Sequence, residues 1–579
     1  MQVSLRQEPC FFSSVPPQPV PPLTQTLQGY LKALEPLLPP EELSHTRRMV
    51  QEFGRPGGLG PHLQEGLEKR ARRTKNWISD WWVQWAYLES RQPLAVHSNP
   101  AISLPRRDFN DWRSQLVFAS KLIAAVLDFK AKIGQLPVEY MRGKPLCMEL
   151  YPLLFSSCRI PGPKHDYVAH HGNARRSPTH ITVVRNYQFF QLEVYNSDGS
   201  RMTESQIRGQ LLRIRSQSWK TDKEPMGILT SEHRHTWGEA YNRLLRDKLN
   251  QESVRMIETG LFSLCLDSPV LRISDENRKA AQVLHGGGTF SNSGNRWFDK
   301  TLQFVVGEDG SWGLLYEQAT AEGPPITNLL HHILEYCEKP DPKKAPLVPL
   351  PMPKKLYFHI DLDIKRDIEQ AKQNLDILIN DLDVNVFNFK RFGKELPKKH
   401  NLSPNSFIQV ALQLAYYRVH NEVCPACDIA SQRMFQGGRT EYIRSPTNQA
   451  LKFILAFDDR SESVRHALKG HGIDHHLLGL KLQAIEEGLS IPKIFMDTAY
   501  GLATHWKLRT GQVPTNTDSV MCFGPLVPDG YAVCYNPQAD HFHFSVTAFN
   551  CCEETNAETL ARTLKNTLCD LQELLQPTV

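Results

Sequence analysis

The sequence has no uninterrupted run of about 18 apolar residues, the length a helix needs to cross a bilayer, so a soluble chain without a membrane span is expected. It also lacks a concentrated basic tract. The net charge is only +5 with Lys and Arg dispersed along the chain, which argues against phosphate-backbone binding and hence against a nucleic-acid partner. No repeat of 20–50 residues is found, which excludes a solenoid. Met1–Ser14 carries Arg6, Glu8 and the pair Phe11–Phe12, too little apolar length for a secretory signal, and reads as a tail in preference to a degenerate mitochondrial presequence. The last residues, Gln576, Pro577, Thr578 and Val579, do not form a Ser-Lys-Leu peroxisomal address. With no secretory signal, the 12 cysteines are expected to be reduced thiols in an intracellular compartment, mitochondrial or cytoplasmic.

What is present fits an ordinary globular protein, with 40% hydrophobic and 22% charged residues. At 579 residues the chain exceeds the size at which one core stops growing, so two domains are the natural expectation. Pro16, Pro17, Pro19, Pro21 and Pro22 predict an extended entry, and Leu27, Tyr30, Leu31 and Leu34 then predict an amphipathic helix over Thr24–Leu37. Trp77, Trp81, Trp82 and Trp85 follow at helical spacing and are expected to pack in the core. The β-branched and aromatic stretch His180–Tyr195 predicts a strand or hairpin, and a second hairpin is predicted from Leu302–Gly307 and Gly313–Tyr316 around Glu308–Asp309–Gly310. Pro346, Pro349, Pro351 and Pro353 mark a domain boundary near residue 350. Beyond it, Ile368, Ala371, Leu375, Leu378 and Leu382 predict a helix, Val384–Phe389 a strand, and Ser403–Pro404 the start of another helix. Strands and helices occur in both halves, so the fold class is α/β or α+β.

The segment Leu284–Pro325, together with PLVPLPMPKK from Pro346 and FIQVALQLAYYR from Phe407, resembles the carnitine and choline acyltransferases over nearly the whole chain, most closely their short-chain members. The resemblance implies two similar acyltransferase-type α/β domains with an interfacial tunnel, residues 69–350 and 351–579, and an N-terminal helical segment, 1–68, packed on the second. It implies CoA or acetyl-CoA as cosubstrate, no covalently bound cofactor, no metal, and a monomer.

The family reaction moves an acyl group between the CoA thiol and an alcohol, and either nucleophile is mostly protonated at neutral pH, so a buried base is required. The family keeps a histidine for this in Tyr-Glu-His-x-x-x-Glu-Gly. Here the run is Tyr316, Glu317, Gln318, then Glu322 and Gly323. A glutamine amide accepts a hydrogen bond but takes up no proton near pH 7. The family's oxyanion motif, Ser-Thr-Ser-Gln, matches Arg509, Thr510, Gly511 and Gln512, so the donor hydroxyl is replaced at Gly511 and the other serine at Arg509. For the carnitine carboxylate the family uses a tyrosine, a threonine and an arginine; the matching positions are Cys427, Thr440 and His475. A neutral imidazole has neither the fixed charge nor the fork of arginine, so carnitine recognition is expected to suffer. The segment between Thr447 and His471 is also shorter than the family's. On the CoA side, the basic run Lys390, Arg391, Lys394, Lys398 and Lys399 contains both phosphate lysines of the family, Lys394 and Lys398, while Asp428 stands for a glutamate and Asn405 for an aspartate.

Three other signals are set aside. Cys424 and Cys427 form a CxxC without a second pair, His466, His471, His475 and His476 lack an accompanying ligand pattern, and Gly286–Gly287–Gly288 lacks the strand–helix context of a dinucleotide site. The residues lead to an acyltransferase-like protein with impaired or lost catalysis. The alternatives are an active transferase with a non-carnitine acceptor and a non-catalytic CoA-binding or partner-binding protein.

Overall fold

The computed structural model describes residues 15–270, 275–340, 350–446 and 471–575. The chain forms two compact units. One comprises Met1–Val83, Lys132–Tyr151 and Asn405–Thr510, and the other Gln84–Ala131, Pro152–Pro404 and Gly511–Val579. Pro346, Pro349 and His466, both termini and nearly all of the shortened Thr447–His471 segment lie outside the described residues.

In the first unit, the helices Leu23–Leu34, Pro40–Gly54 and Leu59–Arg73 pack on Ile473–Glu486 and Thr498–Thr504. The first helix stops at Leu34, three residues short of the predicted end, and a turn through Glu35–Leu38 follows. His476 fastens this packing: its Nδ1 is 2.7 Å from Thr26 Oγ1, its Nε2 2.8 Å from Gln64 Oε1, and its ring lies edge-on to Trp77. Lys132–Tyr151 joins the unit through Arg433, which donates to the Cys147 carbonyl and to Glu139. The strand Ala426–Ser431 runs antiparallel to Thr440–Arg444 and pairs in parallel with Leu508 and Arg509.

The tryptophan cluster divides. Trp77 and Trp82 are buried, whereas Trp85 is 44% exposed and Trp81 lies beneath the Arg70 guanidinium. Trp77 precedes the helical turn over Ser79–Val83, Trp81 and Trp82 are adjacent on it and so face different ways, and Trp85 falls in the π-turn over Gln84–Leu88 that follows.

The second unit is built on an eight-stranded mixed sheet in the order Lys354–Leu356, Gln188–Glu193, His180–Arg185, Ser263–Asp267, Leu302–Gly307, Trp312–Tyr316, Ala101–Leu104, Val520–Cys522. Ser263–Asp267 pairs in parallel on both sides, and the other neighbours are antiparallel. Both predicted hairpins form. Asn186 and Tyr187 take positive φ of 51° and 64°, as a two-residue turn matching strand twist requires. Helix Leu362–Asp381 buries Ile364, Ile368, Ala371 and Leu375 against the sheet core that includes Trp237, Trp297 and Phe189; of the predicted stripe, Leu378 is only partly buried and Leu382 opens the following strand. Leu382–Phe389, Phe542–Phe549 and Tyr531–Pro537 form a further antiparallel set in this unit. Among the described residues no helix is long and apolar enough to cross a membrane.

Candidate active site

Gln318 stands in the turn that follows strand Trp312–Tyr316, and the support under this turn is extensive. Glu317 is fully buried. Its backbone N–H donates to the Thr301 carbonyl at 3.0 Å, and its Oε2 accepts from the Ala319 N–H at 3.0 Å, which holds the turn over residue 318 from both ends. Its Oε1 receives Arg159 Nη1 at 3.1 Å. Arg159 also reaches Asp166, Asp166 accepts from Arg234 and Arg91, and Arg234 Nη1 lies 2.6 Å from Asp299. Three guanidinium groups and three carboxylates thus form one charge-balanced network. Burial pushes the Asp166 carboxyl up, but Arg234 and Arg159 outweigh it and leave Asp166 below the usual range. For Asp299 burial prevails, with the carboxyl pushed up to about 6 against the pull of Arg234. The guanidinium groups thus favour the ionised form of Asp166, whereas burial works against that of Asp299.

Gly511 belongs to the same unit and is linked to the Gln318 strand through Met521. The Tyr316 hydroxyl donates to Met521 sulfur at 3.8 Å, and a Cβ placed on Gly511 would lie 3.2 Å from Met521 Cε and 3.3 Å from Phe523 Cζ. The space that a serine would occupy is partly filled by these two side chains. Gln512 is exposed, and Glu322 is buried as the N-cap of helix Gly323–Glu338.

Lys394 and Lys398 lie in a loop anchored to the turn before Phe542. The Lys394 N–H donates to the Gln538 carbonyl at 2.9 Å and the Glu395 N–H to the Ala539 carbonyl at 3.2 Å. A short helix, Glu395–Lys399, was not foreseen from the sequence; it pairs Lys398 with Glu395 at 2.9 Å, both half exposed. Lys390, Arg391 and Lys399 are exposed.

The first unit holds Cys427, Asp428, Thr440, His475 and Arg509. Cys427 stands in register with Arg509 on one side and Arg444 on the other, and burial pushes its thiol up to about 12, so it remains neutral. Thr510 is clamped, donating to the Cys427 carbonyl at 2.8 Å and accepting from Gln409 at 2.7 Å. Asp428 accepts from Asn405 at 2.9 Å, so these two substituted positions satisfy one another. Thr440 is half-buried at the start of its strand.

His475 is buried with its ring 4.3 Å from that of Trp82. Its Nδ1 lies 3.2 Å from Glu441 Oε2, outside hydrogen-bond geometry, and its backbone N–H donates to Glu441 Oε1. Burial lowers the imidazole to about 3, and burial together with Asp474 raises the Glu441 carboxyl well above its ordinary range. Asp474 itself is taken by a two-pronged contact from Arg444. Burial thus disfavours charge on both members of the pair His475–Glu441.

Cys424 is a buried free thiol like Cys427. Gly286–Gly287–Gly288 all have positive φ but follow the C-terminus of helix Glu276–His285, the end whose dipole repels phosphate. Sequence reasoning missed the network beneath Gln318. Its only signal was ionisable residues, Arg159, Asp299 and Glu317, set within otherwise apolar runs.

The sequence profile described as "Choline/Carnitine o-acyltransferase" matches residues 18–566. The chain belongs to the choline/carnitine acyltransferase family. It is 54% identical to the carnitine O-acetyltransferase of Columba livia over 97% of this chain and 94% of that one, and equally so to that of Homo sapiens. Identity to the choline O-acetyltransferase of Danio rerio is 38% over 99% of this chain and 95% of that one. Among members of this family, acyl-CoA is the donor and the fold is a mixed helix-and-sheet one, as the resemblance implied.

Proposed function

We propose that this protein is a carnitine O-acetyltransferase-like member of the family in which acetyl transfer has been lost or reduced to a trace, while recognition of CoA is kept. The observation that carries the reading is Gln318 on an intact support. The turn that would aim a base is held by Glu317 and Arg159, yet the group it presents cannot accept a proton. Loss of a positioned base reduces rates by about 10²–10⁴, and loss of an oxyanion donor such as a serine at 511 by about 10²–10³, effects that do not simply add. His475 supports the same reading, because an imidazole whose charged form is disfavoured by burial gives a carboxylate substrate neither the fixed charge nor the fork of an arginine. The basic loop around Lys394 and Lys398 supports retained affinity for the phosphates of CoA.

The test is thiol release from acetyl-CoA with carnitine, beside a thermal shift with CoA alone. The expected result is no turnover above the uncatalysed control and a rise in Tm with CoA. Robust transfer to carnitine overturns the loss of catalysis, and absence of a shift at millimolar CoA overturns the retained site. Thiol release with another alcohol, sensitive to Gln318→Ala, would instead establish an active transferase with a changed acceptor.

A further inference from the structure

Outside the acyl-transfer residues, Asp518, His541 and His543 bring one carboxylate and two imidazoles together with their ligand atoms all within 4.8 Å of one another. His541 and His543 are two residues apart at the start of strand Phe542–Phe549, so their side chains leave the same face, with ring centroids 5.1 Å apart. Both turn Nε2 to one atom. The distances to Asp518 Oδ1 are 2.8 Å from His541 and 3.1 Å from His543.

The surroundings hold this arrangement in place. Asn536 Nδ2 donates to the Thr517 carbonyl at 2.8 Å and the Ser519 carbonyl at 2.9 Å, and Gln538 Nε2 donates to the Thr515 carbonyl at 2.9 Å, which fixes the loop on either side of Asp518. Asp540 Oδ1 lies 2.6 Å from His541 Nδ1, the outer carboxylate that orients a metal-ligating imidazole and directs its Nε2 inward. Asn388 Nδ2 is 3.4 Å from His543 Nε2, and Asn388 Oδ1 is buried without a hydrogen-bond partner among the described residues. Rotation of that amide turns an oxygen to the same point.

We propose that Asp518, His541 and His543 form a binding site for a divalent transition-metal ion of the zinc class. Metal–ligand bonds of about 2.0–2.1 Å in a tetrahedron set neighbouring ligand atoms about 3.3 Å apart, so the two spacings to Asp518, 2.8 and 3.1 Å, have to open by a few tenths of an ångström, and all three ligand atoms already lie within 4.8 Å of one another. The ion takes the Nε2 lone pair of each imidazole in its neutral form, with the ring proton on Nδ1, and an imidazolium gives up its Nε2 proton to solvent as the ion binds. Two imidazoles and one carboxylate favour Zn²⁺, Co²⁺ or Ni²⁺ over Mg²⁺ or Ca²⁺. The Asp518 side chain is 52% exposed, so water or Asn388 supplies the fourth position. The site also bears on its neighbour: Gly393 is packed so closely that a Cβ there would lie 2.3 Å from the His541 nitrogen, and Lys394 is bonded to Gln538. An ion that fixes His541 stiffens the support of the basic loop. None of this depends on whether acyl transfer is retained.

Titration of the full-length, metal-free protein with Co²⁺, followed by visible absorption, tests the site, with Zn²⁺ competition as the second readout. Wild type is expected to take up one equivalent with a d–d spectrum free of thiolate charge transfer, displaced by Zn²⁺. Asp518→Asn and His543→Asn, whose folding is checked by circular dichroism, are expected to weaken binding at least about tenfold, and Cys424→Ser to leave it unchanged. Absence of the spectrum, equal binding by both site variants, or loss of binding in Cys424→Ser overturns the proposal.

Discussion

The turn beneath Gln318 and the wall around His475 bury ionisable groups in opposite ways. Beneath Gln318 every buried guanidinium lies against a carboxylate. Around His475 burial pushes the imidazole and the Glu441 carboxyl toward their uncharged forms. Charge in a low-dielectric interior is favoured where it is paired and disfavoured where it is not. The paired groups hold a backbone turn in position; the His475 wall carries no comparable set of ion pairs among the described residues.

The largest expected effect comes from breaking the paired network. Arg159→Ala strands Glu317 and leaves Asp166 with Arg234 and Arg91 only, and is expected to destabilise the second unit by about 3–5 kcal/mol, measured by urea unfolding. A loss below 1 kcal/mol would show that the network is not a unit. Next, the His475 wall can be given a fixed charge. In His475→Arg the new guanidinium is expected to draw Glu441 into its ionised form, and a double-mutant cycle with Glu441→Gln should give a coupling of about 1–3 kcal/mol; zero coupling would separate the two residues.

Acid offers a milder probe of the same wall. His475 and His476 are both lowered to about 3 by burial, so between pH 6.5 and 3 the unfolded chain binds protons that the folded one does not. Stability of the first unit is therefore complete above pH 6.5 and declines as pH falls, by up to about 1.4 kcal/mol per pH unit for each histidine. His476→Gln should flatten the slope of a pH series of unfolding midpoints. The smallest effect is expected at Gly511→Ser, where Met521 and Phe523 must yield a few tenths of an ångström, at a cost of about 1 kcal/mol. Tm measurement of the variant checks it.

The elements with a strong local period were readable from the sequence. The helix Leu362–Asp381 and the hairpin around Glu308–Asp309–Gly310 follow from apolar spacing and turn chemistry, and His180–Tyr195, legible as strand or hairpin, makes its turn at Asn186–Tyr187. The tryptophan run divided because Trp77 precedes the helical turn over Ser79–Val83 and Trp85 falls in the π-turn after it, neither marked in residue type. Gln318, Gly511, Cys427 and His475 were singled out by matching positions to the family pattern. What could not be read was their environment: that Glu317 and Arg159 still secure the turn, that Asn405 and Asp428 compensate one another, and that burial raises the Glu441 carboxyl beside His475. These contacts join residues up to 158 positions apart, as Arg159 and Glu317 are, and no local pattern carries such information. The same holds for Asp518, His541 and His543. Two histidines at spacing two are unremarkable until a loop brings in the carboxylate.

Trp82, with its indole 4.3 Å from the His475 imidazole, gives the first unit an optical gauge of its own interior. An imidazolium ion quenches indole emission whereas a neutral imidazole does so far less. Protonation of that imidazole is thus expected to lower the emission of Trp82 among the ten tryptophans of the chain.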